Sequence, residues 1–280
     1  MIIWIASYPK SGNTWVRAFI SAYYYTEDGI FDPKKLELIP DYPNQILLKN
    51  KKVKHGEIYK FWESSQKDIT LKKKIKFLKT HNALIEAHGK PFASSKYSLG
   101  AIYIVRDPRN VITSIKNHYD FKDYKSALNF MMDKNTYVWG FNNNYAKSQI
   151  ITSWQINYLS WIEKNNYLKT ILIKYEDLNR NSEKTFKNII KFINQITKNN
   201  EPIIQEKLHN AIATTNFKNM QKIEREGNFR ENVHSEKTLE QKKFFHLGPK
   251  NDWKKLVDKE IIEKINNNCK DEMLNLNYKK

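Results

Sequence analysis

Four short apolar runs occur along the chain, and each is followed by polar or turn residues and then by a helical pattern. The runs are IIWIAS (2–7), IKFLKT (75–80), AIYIVR (101–106) and TILIKY (170–175). Runs of this kind are typical of strands that are buried on both faces of a parallel sheet. Strands that alternate with helices predict an α/β fold, with a central parallel sheet flanked by helices on both faces. In such sheets ligands bind at the carboxyl ends of the strands.

Helical periodicity is visible in two of the later segments. One segment places Trp154, Tyr158, Trp161 and Ile162 on one face, and the other does the same with Phe186, Ile189, Ile190 and Ile193. Residues 28–70 and 118–150 do not fit the alternation, and we expect them to cover the sheet. No internal repeat or linker divides the 280 residues, so we expect one domain over 1–280.

The charge balance narrows the class of ligand. Lys and Arg number 48 against 30 Asp and Glu, a formal net charge of +18, which favours a polyanionic partner such as nucleic acid, an anionic membrane or a phosphorylated ligand. Most of the excess is Lys dispersed along the chain, which is typical of a solubilising surface with one local anion site.

The cellular compartment and the relation to membranes are suggested by two features. The single cysteine, Cys269, excludes an intramolecular disulfide and fits a reducing compartment. The first ten residues lack the basic segment of a signal peptide, and no apolar run approaches the roughly 20 residues that cross a bilayer. We therefore expect a cytoplasmic protein without stable membrane insertion.

The stretch SYPKSGNTWVR (7–17) joins the first strand to the first helix and predicts a phosphate cradle. The first N–H groups of a helix have no partner within the helix and, with the helix dipole, they favour an anion. Lys10 adds a full charge, and the hydroxyls of Ser11 and Thr14 can donate hydrogen bonds. The alternative is an ordinary turn, with Asn13 or Thr14 capping the helix and Lys10 solvated. The nucleotide-binding pattern GxxxxGK[ST] is absent, since Lys10 precedes the glycine.

The motif YPKSGNTW closely resembles the 5′-phosphosulfate-binding loop of the cytosolic sulfotransferases, which use 3′-phosphoadenosine 5′-phosphosulfate (PAPS). The family loop often has Thr where this chain has Asn13. The resemblance implies that Lys10 contacts the bridging oxygen of the leaving phosphate and that Trp15 stacks on adenine. It implies that the 5′-phosphate is held by Ser11, Gly12, Asn13 and Thr14.

The second strand ends in FLKTHNAL, which brings Lys79 and His81 to the same edge of the predicted sheet. A histidine with an unperturbed pKa near 6.5 is largely neutral around pH 7 and can take a proton from an acceptor hydroxyl. A lone histidine is more often structural. The sequence KTH, however, resembles the catalytic motif of the family, and this implies that His81 is the general base and Lys79 an accessory cation.

The third strand continues into VRDPRNVITS, with Arg106 at the strand end and Ser114 about two helical turns later. A guanidinium and a hydroxyl at these points can hold a second phosphate, because arginine offers bidentate contact. Alternatively, Arg106 and Asp107 form a surface pair and Ser114 is an ordinary helix residue. The spacing resembles the 3′-phosphate motif of the family and implies that Arg106 and Ser114 bind that phosphate.

Two shorter matches concern the adenine ring. Tyr175 in LIKYEDL resembles the family tyrosine at the adenine edge, although a buried core tyrosine is the alternative. The segment TTNFKNM resembles the adenine-side segment, which implies that Thr215 and Phe217 lie beside the base.

The last family motif, R-K-G followed by G-D-W-K, is altered in FFHLGPKNDWKK. Gly248 matches the family, but His246 and Leu247 replace the Arg and Lys that normally contact the 3′-phosphate. We expect the loop to remain at the cofactor site, with His246 or Lys250 replacing part of the lost contact.

Together these motifs imply a sulfotransferase that moves the sulfuryl group from PAPS to a hydroxyl or amine of a small hydrophobic or aromatic acceptor, without a metal. We expect the two covering segments and residues 228–245 to wall the acceptor pocket. A nucleotide phosphotransferase and a basic nucleic-acid-binding module that uses LKKKIKFLK (71–79) remain as alternatives, although we expect no nucleic-acid partner. A third, narrower alternative is a membrane-associated carbohydrate sulfotransferase. The acceptor and the choice between monomer and homodimer stay open.

Overall fold

The structure is a computed structural model that describes residues 1–140, 142–163, 165–229, 231, 233–234 and 241–278. Its strands are β1 (Ile2–Ser7), β2 (Lys76–Thr80), β3 (Glu86–Ala87), β4 (Lys90–Pro91), β5 (Ser98–Val105), β6 (Tyr137–Gly140), β7 (Asn144–Ile150), β8 (Thr170–Lys174), β9 (Val233–His234) and β10 (Gln241–Lys242).

The α-helices alternate with these strands over most of the chain. They are α1 (Asn13–Tyr25), α2 (Trp62–Thr70), α3 (Pro108–His118), α4 (Tyr124–Met132), α5 (Trp154–Ile162), α6 (Tyr175–Arg180), α7 (Ser182–Thr197), α8 (Gln205–Thr214), α9 (Phe217–Arg225), α10 (Trp253–Leu256), α11 (Lys259–Asn268) and α12 (Lys270–Asn275). Short 3₁₀ helices cover Pro33–Leu38, Ile58–Phe61 and Gly248–Lys250.

The central sheet has four strands in the order β2-β1-β5-β8, and every neighbouring pair is parallel. The four predicted strands are therefore confirmed; β1 has the predicted bounds, and no end of the other three moves by more than three residues. The largest change is in β5, which begins at Ser98. The sequence predicted its start at residue 101, because Ser98 and Gly100 interrupt the apolar pattern.

Two apolar cores lie on opposite sides of this sheet. Along β1 the side chains alternate, so Trp4 packs into one core and Ile3 into the other. Helix α5 covers the first face with the buried Trp154 and Trp161, while α7 covers the second with Phe186 and its apolar neighbours. Because both faces carry helices, the predicted α/β class with a flanked parallel sheet is confirmed.

The two covering segments stay outside the four-stranded sheet, apart from a single bridge. Residues 28–70 approach β2 at Asp41, where Tyr42 N donates to the Lys79 carbonyl oxygen at 2.7 Å. Residues 118–150 form α4 and the antiparallel hairpin of β6 and β7. None of the helices in the described part of the chain is long and apolar enough to span a bilayer.

Candidate active site

A cavity of about 210 Å³ lies at the carboxyl ends of β1, β2 and β5. Fifteen of the residues that the sequence predicted for the site line it, namely Lys10, Gly12, Asn13, Thr14, Trp15, Lys79, His81, Arg106, Ser114, Tyr175, Thr215, Phe217, His246, Leu247 and Gly248. Ser11 is fully buried beside them and does not line the cavity, and its hydroxyl has no hydrogen-bond partner in the described part of the chain. Segments more than 230 residues apart in sequence therefore meet in one place.

The backbone between β1 and α1 has the shape of an anion cradle. Lys10 and Gly12 have φ angles of 65° and 104°, which are in the left-handed region. A Cβ atom on Gly12 would lie 2.6 Å from Cδ2 of Tyr175, so a larger residue does not fit. No side chain caps α1. Trp15 N and Val16 N donate to the Gly12 carbonyl oxygen, whereas the N–H groups of Asn13 and Thr14 have no acceptor within the helix. These N–H groups are available to an anion in the cavity.

The side chain of Asn13 is directed to the sheet. Its Nδ2 donates to the Ile5 carbonyl oxygen at 3.0 Å and to Ser7 Oγ at 3.2 Å. Thr14 Oγ1 donates to Glu231 Oε2 at 3.4 Å. Because neither residue caps α1, the ordinary capped turn is wrong for this segment. Asn13 instead links the cradle to β1.

Lys10 is partly buried and lies against an aromatic ring close to two other cations, which differs from the alternative of a freely solvated lysine. Its Nζ lies 3.9 Å from the centroid of the Phe244 ring. Burial, together with the positive charges of Lys79 and Arg106, lowers the pKa of Lys10 to about 7. An anion bound in the cavity would favour the charged form of Lys10.

His81 is held in one tautomer by the end of β1. Its Nδ1 lies 2.8 Å from the Ser7 carbonyl oxygen and 3.2 Å from Ser7 Oγ, and its backbone N donates to Gln149 Oε1 at 2.6 Å. A carbonyl oxygen only accepts, so Nδ1 carries the proton and Nε2 keeps a free lone pair. Burial and the charge of Lys79 lower the pKa of His81 to about 3. The imidazole is therefore neutral at pH 7 and can accept a proton at Nε2.

Lys79 is paired with a carboxylate that the sequence did not reveal. Its Nζ lies 2.9 Å from Asp41 Oδ1, and the Lys79 side chain is 14% exposed. Burial alone would raise the pKa of Asp41, but the charges of Lys79 and Arg17 lower it well below its usual value. Lys79 therefore reaches the cavity as one half of an ion pair.

A second ion pair lies at the first turns of α1. Arg17 pairs with Glu231 and donates from Nη2 to the Ile39 carbonyl oxygen at 2.7 Å. Arg17 is almost fully buried, and it directly precedes the apolar run AFISAYYY (18–25) of the same helix. The sequence did contain a signal for this ion pair, namely a basic residue at a core-facing position of a helix, because a buried charge needs a partner of opposite charge.

Arg106 is positioned by both the cradle and Tyr175. Its guanidinium carbon lies 4.1 Å from the Tyr175 ring centroid, and Nη1 donates to the Lys10 carbonyl oxygen at 3.3 Å. Its Nε is buried without a partner in the described part of the chain. The alternative of an Arg106–Asp107 pair is wrong, because Asp107 pairs with Arg109 at 2.7 Å. Arg106 thus keeps donor capacity for a ligand.

The predicted adenine-side residues are close to one another. The rings of Trp15 and Tyr175 are 6.0 Å apart between centroids and nearly perpendicular. Phe217 packs against Gly248 so closely that a Cβ on the glycine would lie 2.3 Å from its ring. His246 lines the cavity, whereas Lys250 does not. Of the two replacements suggested for the missing cations, only His246 is in place.

Comparison with known proteins identifies the family. The sequence model of the family described as Sulfotransferase domain matches residues 2–277. The chain belongs to the sulfotransferase family.

Individual relatives are distant in sequence. Mouse Sulfotransferase 2A6 is 26% identical over 194 residues, a region that spans 68% of this chain and 58% of the relative. The solved structure of mouse sulfotransferase SULT7A1 complexed with PAP has a TM-score of 0.61 at 16% identity and covers 97% of this chain and 84% of that one. Retinol dehydratase in complex with androsterone and inactive cofactor PAP has a TM-score of 0.58 at 16% identity, with coverages of 97% and 80%. These likenesses show a shared fold.

The walls of the cavity differ in part from the sequence prediction. The segment 118–150 contributes His118 and Tyr119, whereas residues 28–70 contribute none and reach the site only through Asp41. From 228–245 the aromatic residues Phe244 and Phe245 line the cavity. Residues 230, 232 and 235–240 of that segment lie outside the described residues.

His118 lines the cavity and was not singled out in the sequence, although a usable signal was present. It follows Ser114 by four positions in α3 and so belongs to the same helix face. Among the described residues, no cluster of three or more His, Cys, Asp or Glu side chains could hold a metal ion.

Proposed function

We propose that this protein transfers the sulfuryl group from PAPS to a hydroxyl, or an amine, of a small hydrophobic or aromatic acceptor. The observation that carries the proposal is the meeting of Lys10, His81 and Arg106 in one cavity, with a free lone pair on His81. Membership of the sulfotransferase family supports it. So does the presence of PAP, the product left by PAPS, in the two structural neighbours.

The donor is bound at two phosphate positions in this proposal. The N–H groups at the start of α1 hold the 5′-phosphate, because they offer donors where the helix dipole is positive. The hydroxyl of Thr14 joins them by exchanging its contact with Glu231 for one with the phosphate. Arg106 and Ser114 bind the 3′-phosphate, and His246 assists. Adenine is held by Trp15 and Tyr175, with Thr215, Phe217 and the Leu247–Gly248 backbone around it.

Sulfuryl transfer then proceeds by in-line displacement. The acceptor oxygen forms a bond to sulfur while the bond from sulfur to the bridging oxygen breaks, which leaves adenosine 3′,5′-bisphosphate. Nε2 of His81 takes the acceptor proton. Lys10 stabilises the negative charge on the leaving oxygen, and Lys79, held by Asp41, adds a positive field. Protein cations meet the charge on the donor in this scheme, so we expect no metal requirement.

The acceptor side is apolar and aromatic. Phe244, Phe245 and Tyr119 line it, which suits a hydrophobic or aromatic alcohol. One structural neighbour is complexed with androsterone, and another structure of retinol dehydratase is complexed with retinol. A cytoplasmic location and the oligomeric state stay predictions.

The lysine-rich stretch 71–79 does not support a nucleic-acid function at this site. Lys72, Lys73, Lys74 and Lys76 are exposed at the start of β2, while His81 follows the other end of that strand. Five strand residues span about 16 Å, so these lysines are remote from the cavity. They are typical of a solvated surface.

The test is calorimetric titration with adenosine 3′,5′-bisphosphate, with AMP and ATP as controls and no added metal. We expect the bisphosphate to bind much more tightly than AMP. In Arg106→Ala its affinity should fall by about 1.5–3 kcal/mol, the scale of a lost charge-assisted contact, while AMP binding changes little. Arg180→Ala, which removes an exposed arginine of α6, is the matched control. Equal binding of AMP and the bisphosphate by the wild type would contradict the proposal.

A further inference from the structure

The cavity contains a second histidine that the proposed reaction does not use. His118 is the last residue of α3 and lines the same cavity as Lys10 and His81. Its ring is edge-on to Tyr119 at 4.8 Å and to Phe244 at 6.2 Å between centroids. Neither ring nitrogen has a hydrogen-bond partner within the described ranges.

Burial and the surrounding positive charges keep the imidazole of His118 neutral. Burial is the main cause that lowers its pKa to about 2, and the positive charges of Lys10 and Lys79 add to it. A neutral imidazole offers one N–H donor and one lone pair. His118 is therefore a neutral hydrogen-bonding group in an otherwise aromatic wall.

The charges that act on His118 are those of cations, chiefly Lys10 and Lys79, and three nearby carboxylates are already engaged with other groups. Asp41 is paired with Lys79, Glu231 with Arg17 and Asp120 with Lys242. An ammonium group on a ligand would thus meet like charges at this wall. An oxygen group is favoured, because it can accept the imidazole N–H and is compatible with the surrounding lysines.

An aromatic ligand that displaces water from this wall leaves His118 without a partner unless the ligand supplies one, and an unsatisfied buried polar group is costly. We propose that His118 binds a second oxygen of the acceptor, so that the preferred acceptors carry a further hydroxyl, carbonyl or carboxylate besides the hydroxyl that is sulfated. This inference rests on the proposed function and names the acceptor class. His118 is then a specificity-determining residue for a bifunctional acceptor.

The test compares ligands that differ only in the second oxygen. The three dihydroxybenzenes and the three methylphenols are titrated into the protein saturated with adenosine 3′,5′-bisphosphate, and binding is followed by ligand-observed NMR. For each positional isomer the dissociation constant of the methylphenol is divided by that of the dihydroxybenzene. We expect a ratio of about 5 or more for at least one isomer, the scale of one net hydrogen bond.

The variants assign that preference to His118. His118→Phe keeps an aromatic ring and removes both nitrogens, so the ratio should fall to about 1, the value expected without the hydrogen bond. His118→Gln restores a donor and an acceptor and should recover part of the ratio. Asn117→Ala, which alters a neighbouring cavity residue, should leave it as in the wild type. If His118→Phe does not fold, His118→Met serves in its place.

Three results would overturn the inference: a wild-type ratio near 1 for every isomer, a ratio that survives in His118→Phe, or a ratio that Asn117→Ala removes equally well. Binding of the bisphosphate is measured separately in each variant. Tight binding of the bisphosphate without a phenol preference would overturn the role of His118 and leave the proposed function standing. A His118-dependent preference in a protein that does not bind the bisphosphate would overturn the proposed function and support the binding role of His118.

Discussion

Replacing His81 by asparagine tests the proposed general base most directly. In the structure Nδ1 of His81 contacts the Ser7 carbonyl oxygen at 2.8 Å, while Nε2 is free for the acceptor. The amide of an asparagine can keep the donor toward Ser7 but has nothing in place of Nε2. His81→Asn should therefore lose the proton acceptor while the phosphate cradle keeps its geometry.

The expected loss of turnover is about 100-fold. A positioned general base contributes roughly 10²–10⁴, which corresponds to about 2.7–5.4 kcal/mol of barrier. The structure favours the lower end, because burial and the charge of Lys79 lower the pKa of His81 to about 3. An imidazole of low pKa is a weak base, so its removal costs less than that of a base with a pKa near 7.

The assay is single-turnover sulfation with labelled PAPS, combined with titration of adenosine 3′,5′-bisphosphate. Turnover should fall while the affinity for the bisphosphate stays within about 2-fold, since His81 is assigned to the chemical step. His209→Asn removes an exposed histidine of α8 that pairs with Glu183 and should change neither quantity. More than a third of the wild-type rate in His81→Asn would refute the role of His81 as a base. Equal losses of rate and bisphosphate affinity would indicate a structural role instead.

Two further predictions concern the cradle. Gly12→Ala should abolish tight bisphosphate binding and destabilise the fold by about 1–3 kcal/mol. Gly227 also has a positive φ but has open space around it, so Gly227→Ala should leave binding intact. Binding titrations and denaturant unfolding compare the two variants, and equal effects would contradict the clash with Tyr175. The pKa of Lys10 is about 7, so this lysine loses its charge as the pH rises above 7. The affinity for the bisphosphate should therefore fall between pH 7 and 9 by up to about tenfold per pH unit. Calorimetry in buffers of different ionisation enthalpy should show proton uptake on binding, and its absence at pH 8 would refute the lowered pKa.

The parts of the molecule that sequence could predict are those fixed by local pattern. The strand over residues 2–7 is apolar at nearly every position, and the turn after it contains Gly12, whose φ of 104° few other residues adopt. Residues such as Arg106 were placed by their resemblance to a family motif, and the cavity contains them. Which ligand atoms they contact stays a prediction.

The ion pairs of the site could not be predicted, because they join segments that only the tertiary structure brings together. Asp41 lies 38 positions from Lys79 in an irregular segment, and Glu231 lies 214 positions from Arg17. Neither carboxylate lies in one of the helices or strands named above, so no periodic pattern indicates which way its side chain points. His118 differs, since helical periodicity from Ser114 was enough to place it on the cavity face. That the chain forms one domain stays a prediction.

Tyr175 contacts residues at both of the proposed phosphate positions. One edge of its ring occupies the space that a side chain at Gly12 would need, and the guanidinium of Arg106 lies against its face. Arg106 in turn donates to the backbone oxygen of Lys10. Because these contacts hold Arg106 before a ligand arrives, less ordering is required on binding. In the proposed function, such preorganisation offsets part of the contact that is lost where His246 and Leu247 replace the Arg and Lys of the last family motif.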